Sequence, residues 1–135
     1  MGVSEMREKW TQAEAMCPHR LVLEHVTSRW GVLVLDALLD RSYRFSELRR
    51  EIATLAKVSE KMLTQTLQTL ERDGFVDRDA KPVIPPRVDY SLTPLGREAA
   101  ERVRALAHWT GLRMEEVQRA REAYDEAKDR EAALK

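Results

Sequence analysis

The stretch Lys61–Gly96, KMLTQTLQTLERDGFVDRDAKPVIPPRVDYSLTPLG, decides the fold. Leu63, Leu67 and Leu70 recur at i, i+4 and i+7, the apolar stripe of an amphipathic helix. Ser59 is a strong N-cap for that helix, and Gly74 ends it. Phe75 and Val76 read as a short apolar strand, a proline-rich loop follows, and Val88 to Leu92 reads as a second strand. Thr93-Pro94 supplies the N-cap and first position of another helix. Helix, strand, loop, strand, helix describes a winged helix-turn-helix, a mainly α fold with a small β-wing (α+β). Such a fold sets one helix in a DNA major groove and the loop beside it on the backbone. That arrangement favours transcription control over catalysis.

Working outward, Phe45 to Ile52 reads as a short helix with Ser46 as N-cap, and Ala53 to Val58 connects it to the helix at Ser59. Two helices with a short link, the second more exposed, are the helix-turn-helix pattern. Trp30 to Leu39 is apolar nearly all round, as expected of a buried helix at the hub of the domain, and Gly31 near its start is tolerated. Pro18 suits the first turn of a helix over roughly 18–27, with Leu21, Val22 and Val26 on one side. Met6, Trp10 and Ala13 place a further helix within 4–16. Beyond Thr93-Pro94 the chain reads as helical to about Arg130, with a break at Thr110-Gly111. Met114, Val117, Ala120, Tyr124 and Ala127 form a narrow apolar stripe there, which calls for a second subunit.

The 135 residues suffice for one domain with a real core, and 43% hydrophobic with 34% charged residues suits a helix-rich soluble protein. No apolar run approaches the roughly 18 residues of a membrane span. The opening MGVSEMREKW lacks the apolar core of a signal peptide. One cysteine excludes an internal disulfide framework and fits a reducing compartment, so the expected location is the cytoplasm, at the nucleoid, with no membrane partner. Twenty-three basic and twenty-three acidic residues cancel, so affinity for DNA has to come from a focused cluster of cations. Residues 41–91 hold ten basic and eight acidic side chains, a small bias in the right place.

Opposite the leucine stripe lie Lys61, Gln65, Gln68 and Arg72, with Thr64 and Thr69 beside them. Gln and Thr hydrogen-bond base edges, and Lys takes guanine or phosphate. Residues near the N-terminus of such a helix reach deepest, which favours Ser59, Lys61, Thr64 and Gln65 over Arg72. A solvated helix face carries the same residue types, and the wing that follows is what tips the reading toward DNA. The wing offers Lys81 and Arg87 around Pro82, Pro85 and Pro86. Arg41, Arg44, Arg49, Arg50 and Lys57, on or beside the preceding helix, are further phosphate contacts or ordinary surface charges paired with Glu47 or Glu51.

Cys17-Pro18, Arg29-Trp30, RFSELRREI (44–52), SEKMLTQTLQTLERDGFVDR (59–78) and PPRVDYSLTPLG (85–96) together resemble the HxlR-type transcription regulators, relatives of the MarR group. The resemblance covers about residues 17–110. It implies a homodimeric DNA-binding regulator of bacteria or archaea, with residues 59–71 reading the major groove and residues 79–88 forming the wing. It divides the chain into an N-terminal dimerisation helix (1–16), a DNA-binding domain (17–96) and C-terminal dimerisation helices (97–135). Three positions depart from the family pattern. Gln68 stands where a basic residue is frequent, Ala56-Lys57 where Pro-Gly is frequent, and Thr27-Ser28 where two glycines are common. These departures imply a shifted operator preference.

Cys17 matches the position of an N-terminal cysteine by which several HxlR-type members sense oxidants or electrophiles. A position next to a helix N-terminus favours its thiolate. Free cysteine is also among the most buried residue types, so a structural role stands beside the sensing one. Trp10, Trp30 and Trp109 are candidates for an aromatic effector pocket between subunits, Trp30 and Trp109 foremost, or simply core. His19, His25 and His108 are scattered and form no metal site, no cofactor motif is present, and no nucleophile sits beside a base and orienter. The expected function is therefore a non-enzymatic, sequence-specific DNA-binding regulator. It is expected to be a repressor with a duplex operator, a second copy and a small-molecule or oxidant inducer as partners. Neutral net charge keeps a second reading open: a winged-helix module for small molecules or proteins, without strong DNA binding.

Overall fold

A computed structural model describes Gly2 and residues 18–135. The expected helix within 4–16, with Trp10, and the cysteine at position 17 lie outside the described residues. Among those described, the elements run α1 (Pro18–Thr27), α2 (Arg29–Asp40), β1 (Tyr43–Arg44), α3 (Phe45–Ala53), α4 (Glu60–Arg72), β2 (Val76–Lys81), β3 (Arg87–Leu92) and α5 (Pro94–Ala133). The chain divides into two compact units, Met1–Val103 and Arg104–Lys135.

In the first unit, α2 is the hub. Val34, Leu35 and Leu38 are buried, and they share one core with Leu48 and Ile52 of α3 and Leu63, Leu67 and Leu70 of α4. Val22 and Val26 of α1 pack against this core from one side, and Trp30 and Leu33 are half-buried around it. A small sheet in the order β1-β3-β2, antiparallel throughout, adds Tyr43, Val76 and Tyr90. Removing one fully buried leucine from such a core costs about 2–5 kcal/mol.

Two of the glycines stand where the chain turns from one element into the next. Gly74 follows the C-cap residue Asp73 with φ +85, a backbone conformation that disfavours any side chain, and turns the chain from α4 into the wing. Gly31 is not merely tolerated. A Cβ there would stand 2.1 Å from the His25 carbonyl oxygen, so the glycine permits the tight corner between α1 and α2.

The structure corrects four sequence expectations and adds one strand that the sequence did not suggest. Ser46 is not the N-cap of α3: the cap position is Arg44, whose backbone N–H donates to the Glu47 carboxylate at 3.0 Å. β1 has only two residues, too few to show a period of two, and it exists through pairing of Tyr43 with Tyr90. β2 extends to Lys81 although Asp77, Asp79, Ala80 and Lys81 are poor strand formers, because each residue pairs across to β3. Phe75 precedes the strand; its N–H donates to the Leu70 carbonyl and closes the end of α4. Finally, α5 runs through Thr110-Gly111 without a break. The Thr110 hydroxyl donates back to the Ala107 carbonyl at 2.7 Å, and one glycine costs only about 1 kcal/mol against strong helix formers on both sides.

The Thr93 hydroxyl accepts from the Gly96 N–H at 2.9 Å, which makes it the N-cap of α5, and it donates to the Gly74 carbonyl at 2.6 Å. Gly96 and Ala100 of the helix are buried in the first unit. In the second unit every side chain from Ala105 onward is exposed, including Met114, Val117 and Tyr124 of the expected stripe. No described helix is long and apolar enough to cross a membrane.

Candidate nucleic-acid interface

The helix α4 separates its two faces cleanly. Its N-cap Ser59 accepts from the Met62 N–H at 3.0 Å, leaving the first turn ordered and its side chains outward. Leu63, Leu67 and Leu70 are buried, while Lys61, Gln65, Gln68 and Arg72 are exposed. Thr64 is half-exposed, and its hydroxyl donates to the Glu60 carbonyl at 2.8 Å. That bond occupies the hydroxyl proton and leaves its lone pairs for an incoming donor. Gln65 and Gln68 donate to nothing comparable within the helix, and a glutamine on such a face reads adenine through two hydrogen bonds. Lys57 is exposed in the link before Ser59.

The wing cations are gathered around one carboxylate. Arg87 Nε donates to Asp89 Oδ1 at 3.0 Å, and Lys81 Nζ lies 3.1 Å from Asp79 and 3.7 Å from Asp89. Asp89 sits on the central strand with Arg44 opposite it on β1 and Asp79 opposite it on β2. Two facing carboxylates repel, and Lys81 offsets that repulsion by binding both. The hydrogen bond from Arg87 holds the Asp89 carboxyl below the ordinary aspartate value, with the Arg87, Lys81 and Arg44 charges adding to it. Glu47 is lowered likewise, first by the Arg44 N–H and then by the charges of Arg41, Arg44 and Arg87. The expected phosphate contacts Arg44, Lys81 and Arg87 therefore belong to one network.

Arg49 and Arg50 stand apart from that network. They line a groove with Phe45, Ser46 and Glu60 where α3 meets the start of α4. Arg49 is 3.9 Å from the Glu60 carboxylate, and Arg41 is 3.8 Å from Glu47 while its guanidinium stacks on Tyr43 at 3.9 Å. Of the expected aromatic residues within the described part, Trp30 is half-buried on α2 under the Arg29 guanidinium, and Trp109 is 53% exposed on α5.

One side-chain pairing escaped sequence reasoning. His25 Nδ1 of α1 lies 2.6 Å from Asp73 Oδ2, the C-cap residue of α4, in a part-buried contact across 48 positions of sequence. An imidazole N–H facing a carboxylate donates to it. An acidic residue at a helix C-terminus opposes the helix dipole, and a partner in this position offsets that. No local pattern marks such a pair. The one available signal was the misplaced acid at the end of α4.

A family model described as HxlR-like helix-turn-helix matches residues 25–118. The HTH-type transcriptional regulator YtfH of Escherichia coli (strain K12) is 58% identical over 87% of this chain and 90% of its own length. The structure of the transcriptional regulator ytfH from Salmonella typhimurium is 55% identical with a TM-score of 0.72, covering 81% of this chain and 95% of its own. The redox regulator HypR in its oxidized form is 34% identical with a TM-score of 0.61, over 70% of this chain and 95% of its own. These similarities span both α4 and the wing.

Proposed function

The chain belongs to the HxlR-like helix-turn-helix family of transcriptional regulators, and from that premise we propose that it binds a specific duplex operator as a homodimer and represses transcription there. The observation that carries this reading is the polar face of α4, exposed Lys61, Gln65 and Gln68 with half-exposed Thr64, set on a fully buried leucine stripe. Arg44, Lys81 and Arg87 position the protein on phosphates, with Arg49, Arg50, Lys57 and Ser59 around the start of α4. Residues 17–96 form the DNA-binding domain, and residues 1–16 and 97–135 pair with a second copy. The exposed Met114, Val117 and Tyr124 support that pairing. The site of action is the nucleoid in the cytoplasm.

Cys17 is the sensor in this reading. The support is its place just ahead of α1, together with the similarity to HypR and to diamide-treated YodB from B. subtilis, the latter 29% identical at a TM-score of 0.60. Alkylation, thiol capping or a disulfide between subunits changes the spacing of the two α4 helices. Half-sites lie one DNA turn apart, about 34 Å, so both contacts weaken together.

The test is a salt-titrated binding assay with wild type and Cys17→Ser, each with and without diamide, beside light scattering for the dimer. Wild type is expected to bind as a dimer and to release DNA on diamide treatment, and Cys17→Ser to bind and hold on. Equal responses of the two proteins remove Cys17, and a monomer removes the dimer. Lys81, Arg87 and Arg49 are already paired with carboxylates, which favours one rival: a winged-helix module without strong DNA binding. That rival predicts no salt-dependent binding at all.

A further inference from the structure

The tip of the wing carries an apolar side chain where a DNA-facing loop would be expected to carry a cation. Ile84 is 101% exposed and Val83 49%, between Pro82 and the pair Pro85-Pro86. Of the large apolar side chains described, Ile84 is the most exposed. From residue 80 to residue 88 the chain holds two cations, Lys81 and Arg87, and no carboxylate. The strand register sets Lys81 opposite Arg87, so one cation stands at each side of the base of the tip.

The dimensions suit a particular place on DNA. Val76 to Lys81 is five steps of strand, about 17 Å at roughly 3.3 Å per step. Half a turn of B-DNA, the offset from a major groove to the neighbouring minor groove, is also about 17 Å. A hairpin of that length has the reach of this offset, measured from its base at Val76.

We propose that Ile84 enters the minor groove flanking each half-site and wedges against a base step, with Lys81 and Arg87, which converge on Asp89, on the phosphates beside it. This rests on the DNA-binding reading above and adds a second determinant of operator choice. An isoleucine side chain makes no hydrogen bond, so it selects by deformability. Pyrimidine–purine steps unstack more cheaply than others, and apolar wedges exploit that. The three prolines restrict the loop before binding, so little conformational freedom is lost at the groove. An open cleft of about 520 Å³ beside the tip has Arg44 and Arg87 on its walls and Phe45, Val83 and Val88 among its apolar residues. That combination matches a deoxyribose–phosphate edge, with sugar on the apolar surface and phosphate on a guanidinium.

The experiment uses the full-length protein and operator duplexes that differ only at the step under the wing: TA, CA, AA or GC. Wild type, Ile84→Ala, Ile84→Lys and Arg87→Ala are compared by fluorescence anisotropy, and DNA bending by energy transfer between labelled duplex ends. Wild type is expected to prefer TA over GC by roughly tenfold, within the range of one specified base position. Ile84→Ala is expected to lose that preference and the bend while keeping the salt slope and the half-site preference. Ile84→Lys should bind more tightly overall without recovering the step preference. If Ile84→Ala keeps both the step preference and the bend, the wedge is wrong although the protein remains a DNA-binding regulator. A salt slope altered as much as in Arg87→Ala also overturns it, because the tip then acts on the backbone. Absence of specific binding by wild type to every duplex overturns the functional reading itself.

Discussion

His25 and Asp73 show how one residue pair ties distant segments to α4. Their 2.6 Å contact joins α1, which begins directly after Cys17, to the end of α4. His25→Ala leaves a part-buried carboxylate without its donor, which costs on the order of 1–3 kcal/mol. The double-mutant cycle with Asp73→Asn should give a coupling of about 0.5–3 kcal/mol in thermal stability, and additive losses would remove the contact. Asp89 acts on the other side of the molecule and supplies a pH test. Its folded-state carboxyl lies below the ordinary 3.8, so its pairing with Arg87 stabilises fully above that value and fades as pH falls through the lowered one. The Tm difference between wild type and Asp89→Asn should therefore be constant near neutral pH and shrink below pH 3.8. A gap that stays constant into strong acid would show that the carboxylate charge is irrelevant.

At the scale of elements, α4 was legible because its two faces have opposite chemistry: Leu63, Leu67 and Leu70 inward, Lys61, Gln65 and Gln68 outward. Ser59, Gly74 and Thr93 were legible too, since caps and turns depend on one residue's own chemistry. The wing strand β2 was legible only at Val76; its extension to Lys81 was not, because its charged residues are held by β3 rather than by their own preferences. Nor was the pairing of Lys81 with Asp89, which follows from strand register. The network also shapes a prediction for the wing. Arg87→Ala should weaken binding to all duplexes alike and lower the salt slope by about 0.9, the share of one phosphate. Unchanged affinity and slope would mean that Asp89 keeps Arg87 from DNA.

For the whole molecule, a net charge of zero means that recognition cannot rest on bulk attraction. It has to come from a narrow set of groups presented in the right geometry, which makes sequence preference the central claim. The most direct measurement takes duplexes enriched from a random pool by wild type and measures binding of wild type and Gln65→Ala to the winner, its scrambled version and single-base variants. A preference of at least about 10³ for the selected duplex is expected, as specific regulators show. Gln65→Ala should flatten discrimination at one base pair in each half-site, worth about 1–3 kcal/mol, and leave the other positions unchanged. A wild-type protein that binds selected and scrambled duplexes equally, or a Gln65→Ala variant with an unchanged preference at every position, would contradict the assignment of α4 as the reading helix.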